Sequence, residues 1–141
     1  MKYNSLLKEN KIRPIAAKKE EIKELFNLAE RDLKSAEFII TQDWDWGFAI
    51  AYNSVLQACR AFMFKEGFRP RSEEFHKVTF EFMRIGLGKD YEDLINYFDR
   101  MRTKRHKALY EISGAVTETE VRQNLTRARD FVKLLKKLCM G

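Results

Sequence analysis

The stretch from Arg100 to Tyr110 carries more chemistry than any other in the sequence. Arg100, Arg102, Lys104, Arg105 and Lys107 are five cations with no acid between them, and His106 and Tyr110 complete the set. At 100° per residue, Arg102, His106 and Tyr110 follow at i, i+4 and i+8 and share one helical ridge. Measured from Phe98, Arg105 falls at roughly −20°, inside the apolar stripe of Leu94, Phe98, Met101, Ala108, Leu109 and Ile112. A guanidinium there needs partners, because burying a charge without them is costly; an ion pair with an acid elsewhere is the plain structural way to meet that need. Arg100 lies far around the helix from His106.

Such a ridge suits RNA. A neutral His106 can take the 2′-OH proton while Arg102 and Arg105 stabilise the charge developing on phosphorane oxygens. Tyr110 can orient the phosphate or stack a base. A run of cations can equally be a solvated helix face, and a lone histidine an ordinary exposed one. His76, beside Lys77, is a weaker candidate of the same type. A second polar group, Asn53, Gln57 and Arg60, recurs at i, i+4 and i+7 on an otherwise apolar helix, which gathers its polar atoms on one stripe. With the basic run (Arg100, Arg102, Lys104, Arg105, Lys107) it is the expected RNA- or nucleotide-binding surface.

The elements that must position these residues are helices. The 141 residues fit one domain, with 45% hydrophobic and 13% aromatic residues to build a core, and only 6 Gly and 2 Pro argue for long helices over a sheet. Apolar periodicity predicts a helix over Lys18 to Ile40, a central helix over Phe48 to Phe64 after a break at Asp43 to Gly47, and a third opened by Ser72, Glu73 and Glu74. The basic helix follows from about Asp90 to Ile112, and a fifth begins at Thr117, with Glu120 completing a capping-box pattern. Gly67 is placed for a left-handed cap. Residues 1–17, with Lys2, Lys8, Lys11 and Arg13, are expected to form a loosely docked basic arm, leaving 18–141 as a single bundle.

Net charge is +6, a surface that attracts phosphates at long range. Cys59 and Cys139 stand alone, so a reduced, cytoplasmic protein without structural metal or cofactor is expected. No stretch approaches the ~20 apolar residues of a membrane span. There is no Gly-rich phosphate loop, Ser-His-Asp order, Cys-His pair or carboxylate cluster of metal spacing.

The order of these pieces resembles the HEPN family. It comprises the Asp-Trp-Asp-Trp-Gly-Phe-Ala-Ile-Ala-Tyr-Asn stretch from Asp43 to Asn53, the Ala58 to Gly67 ending, His76-Lys77, and Arg102-Thr-Lys-Arg-His-Lys-Ala-Leu-Tyr110. The resemblance implies an all-α up-and-down bundle of four to five helices, binding RNA or a nucleotide in a basic cleft of a homodimer, within a toxin–antitoxin-like or defence system. A nucleotidyltransferase-like antitoxin would be its partner. Active members of that family carry Arg, four to six residues, then His. Arg100 and His106 satisfy the spacing literally. In the other register Arg105 takes the Arg position, His106 the polar position after it, and Tyr110 the place of the His, which favours binding. The alternative is a metal-independent endoribonuclease using Arg102, Arg105 and His106.

Overall fold

The computed structural model describes residues 1–71 and 75–141. Among the described residues, six α-helices and one short two-stranded ribbon follow in the order α1 (Asn4–Lys8), β1 (Ile12–Pro14), α2 (Lys19–Ile39), α3 (Trp44–Glu66), β2 (Phe68–Pro70), α4 (Phe75–Leu87), α5 (Glu92–Tyr110) and α6 (Glu118–Met140). The all-α reading holds. A 3₁₀ turn, Lys89–Tyr91, leads into α5.

α3 lies at the centre and packs against α2, α4, α5 and α6, because it is apolar on most of its circumference. Phe48, Tyr52, Val55, Cys59 and Met63 are buried along it. Phe26, Phe80, Phe82, Phe98 and Phe131 close around them from the other helices. The helix starts earlier than its apolar pattern: Asp43 is the N-cap and accepts from the Trp46 amide at 3.0 Å, so the expected break is the first turn. Gly67 ends the helix at φ +92°, a conformation that glycine adopts without steric cost. Thr117 caps α6, accepting from the Glu120 amide at 3.1 Å. The expected start of the third helix at Ser72, Glu73 and Glu74 lies outside the described residues.

The N-terminal segment is not a loose arm. Tyr3, Leu6 and Ile12 are buried, and the Tyr3 ring stacks on Phe82 with centroids 4.0 Å apart. Its hydroxyl donates to Glu66 at 2.7 Å. β1 pairs antiparallel with β2, matching Ile12 with Pro70, Arg13 with Arg69 and Pro14 with Phe68. Three apolar side chains spaced through a charged stretch give no helical or strand period, and for that reason the segment reads as solvated until its partners are known.

α5 changes character along its length. Ile95, Phe98 and Met101 are its buried residues; beyond Met101 none is buried, Ala108 and Leu109 are half-buried, and Ile112 lies past the helix end, exposed. The second half of the helix thus runs along the edge of the core, packed against it through Ala108. Asp45 braces the far end, accepting from the Gly114 and Val116 amides at 2.8 and 3.1 Å.

Because Tyr3 contributes a buried ring to the core, Tyr3→Ala should lower unfolding free energy by about 3–5 kcal/mol, as other buried aromatic truncations do. Chemical denaturation measures this; a loss near zero would restore the loose arm.

Candidate nucleic-acid interface

Two cavities meet where α3, α4 and α5 converge. The first, an open trough of about 480 Å³, is lined by His76 and Lys77 of α4, by Arg102, Thr103, Arg105, His106 and Lys107 of α5, and by Glu111 just past the end of α5. The second, a recess of about 390 Å³, takes Asn53, Gln57 and Arg60 from α3 and Arg69 from β2. His76 and Arg105 line both. The polar stripe of the central helix and the basic run of α5, far apart in sequence, therefore form adjoining walls.

At the junction stands Tyr52, fully buried on α3. Its hydroxyl shares a hydrogen bond of 2.8 Å with His76 Nδ1, and the two rings stack with centroids 5.7 Å apart. The Arg105 guanidinium sits 5.6 Å from the centre of the Tyr52 ring. A π face is thus the partner that the inward position of Arg105 required, and among the described residues no carboxylate pairs with it. Burial pushes the Tyr52 hydroxyl above its ordinary value, against the pull of Arg105. Burial, reinforced by Arg105 and Arg102, also pushes the His76 imidazole down to about 4. His76 therefore enters neutral pH uncharged, with Nδ1 committed to Tyr52.

The other cations of the run divide. Arg102 donates through Nε to Asp99 at 2.9 Å, and Asp99 also accepts from Arg84 at 2.6 Å. Burial alone would raise the Asp99 carboxyl, but the hydrogen bonds from Arg84 and Arg102 outweigh it and hold the group below its ordinary value. Lys104 turns away toward Glu120 of α6, 3.4 Å distant. Arg100 is exposed and lines a separate shallow cavity with Arg84, Asn96 and Asp99. Arg102, Arg105 and Lys107 are the members of the run that reach the trough.

His106 is exposed and its Nε2 lies 3.6 Å from Glu111, while its ring is 5.1 Å from that of Tyr110. Tyr110 lines a further cavity with Trp46, Asp43 and Asp45. The expected ridge of Arg102, His106 and Tyr110 thus runs out of the trough: the first two line it, and Tyr110, its ring beside His106, lies beyond its rim.

On α3, Arg60 donates to Gln57 at 2.7 Å and Asn53 donates to buried Asp32 at 2.8 Å. Burial, with Arg69 beside it, lowers the Arg60 guanidinium from its ordinary value. Two residues here outweigh their standing in the sequence. His76 is a lone histidine whose partner sits on another helix, and Arg69 lies in a three-residue strand; spacing signals neither.

The sequence matches the family model of the HEPN domain over residues 22–138. Comparison with curated proteins finds no match.

The depressed imidazole has a measurable consequence. In an unfolded chain His76 takes a proton as pH falls through about 6.5, whereas in the folded protein it does so only near 4. Its contribution to stability is thus complete above about 6.5 and declines as pH falls from there toward 4. Urea denaturation should show His76→Gln losing less stability than the parent protein between those pH values. Parallel pH profiles for the two proteins would mean that His76 takes its proton at the same pH folded as unfolded, and that burial does not depress it.

Proposed function

As the chain belongs to the HEPN family, a family of helical modules with RNA- or nucleotide-related function, we propose that it binds RNA through the trough between α4 and α5. The observation that carries this reading is that Lys77, Arg102, Arg105 and Lys107 line one cavity with two imidazoles. Cations so placed neutralise successive phosphates of a strand and release their counterions. Arg105, fixed over the Tyr52 ring, offers its planar fork where a flexible lysine would offer only charge. The reading extends to a homodimer with two troughs across a cleft, acting with a nucleotidyltransferase-like antitoxin; light scattering at tens of micromolar reports the assembly.

Cleavage is the second reading, and one observation favours it: the trough brings two imidazoles, His76 and His106, to Arg102 and Arg105. A neutral imidazole beside guanidinium groups is the set that 2′-OH attack without a metal requires. The partner of His106 bears on this. The Glu111 carboxylate sits 3.6 Å from its Nε2, so that nitrogen already faces a carboxylate instead of standing open to a 2′-OH.

RNA binding should weaken steeply with salt. Replacing Lys107 by Glu should make the slope of log affinity against log salt shallower by about one or more, while Lys104→Glu, on the α6 side, should leave it nearly unchanged. Fluorescence anisotropy from 50 to 300 mM salt tests both, and equal slopes for the two variants would show the trough to be a solvated face. A mixed RNA panel incubated with chelator should remain intact; fragments that disappear with His106→Ala would make cleavage the activity.

A further inference from the structure

The recess differs from the trough in its chemistry. Its cations are all arginines, Arg60 on α3, Arg69 on β2 and Arg105 on α5, and its remaining wall includes Leu56, Phe64, Pro70 and Phe75. Guanidinium groups thus oppose a flat apolar surface. At about 390 Å³ the space lies near the lower end of the ~300–1,000 Å³ typical of ligand pockets, room for one nucleotide but not for a strand.

Building on the RNA reading, we infer that the recess is a subsite for a nucleoside phosphomonoester, the terminal nucleotide of the bound RNA. Its phosphate lies among Arg60, Arg69 and Arg105, and its base lies against Phe64 and Phe75. A phosphomonoester carries about −1.5 to −2 charges at neutral pH, against one for an internal phosphodiester. That excess is what converging guanidiniums are suited to hold by forked, charge-assisted hydrogen bonds. Arg60 is half-buried beside Arg69, an arrangement of like charges that a dianion between them relieves. Gln57 already accepts from Arg60 through Oε1, so the polar group it has left is a donor. His76 and Arg105 belong to both cavities, which lets one strand run along the trough and end in the recess.

The chemistry is the same whether the phosphomonoester ends an RNA or is a free nucleotide, and the test separates them. Anisotropy is measured with one short RNA carrying a 5′-phosphate, a 3′-phosphate or hydroxyls at both ends, for the parent protein, Arg69→Gln and Arg69→Lys. Calorimetry compares AMP with adenosine on the same proteins. A terminal phosphate at one end or both should tighten RNA binding about tenfold, the scale of one good charge-assisted contact. Arg69→Gln should abolish that preference, read within each protein as the ratio of phosphate-ended to hydroxyl-ended affinity, and Arg69→Lys should restore it only in part. AMP should bind where adenosine does not. Equal affinity for phosphate and hydroxyl ends, or a preference that survives Arg69→Gln, would overturn the subsite and leave the trough standing. If no RNA binds, the trough reading fails alone, and AMP against adenosine still decides the recess.

Discussion

A tyrosine hydroxyl buried in the middle of the central helix is the constraint on which the site depends. Tyr52 is fully enclosed, and a polar atom so placed must find a partner or forfeit much of the stability its ring contributes. Its partner is His76. That one bond ties the start of α4 to α3. It also gives a flat π surface for the Arg105 guanidinium. Charge and geometry reinforce each other here: burial keeps His76 neutral, and a protonated ring would in addition face Arg105 and Arg102.

The cations of α5 are sorted by what the neighbouring helices offer. Asp99 holds Arg102 and Arg84, and Glu120 draws Lys104 toward α6. A run that looks uniform in sequence is thus partly structural and partly directed to solvent in the trough. The division follows from helix geometry, since residues two positions apart point to different sides.

Much of this was legible in the sequence. The four long helices follow from apolar spacing and caps, and α2 departs from its expected span by one residue at each end. Arg105 was placed inward by its angle alone, and the Asn53, Gln57 and Arg60 stripe was read as one surface. What spacing could not reveal were the non-local partners. Nothing near Arg105 in sequence announces Tyr52, nothing near His76 announces it either, and Trp46 beside Tyr110 joins the ends of two helices. The N-terminal segment was misread for the same reason. Its buried side chains are few, and their partners Phe82 and Phe68 lie on elements that follow α3.

The ribbon of β1 and β2 bears on how the protein breathes. It joins chain segments separated by the whole of α2 and α3 through a short ladder extended by the Ile15 to Gly67 and Arg71 to Lys11 bonds. A ladder of that size is weakly cooperative by itself and can open as a unit while the helical core stays closed. Amide hydrogen exchange at Arg13, Ile15, Arg69 and Arg71, the ladder positions that carry an amide, should accordingly report an opening free energy below that of α3. Since Arg69 rides on this ribbon, any ligand gripping that side chain would slow exchange at Arg13 and Ile15, on a strand it never touches.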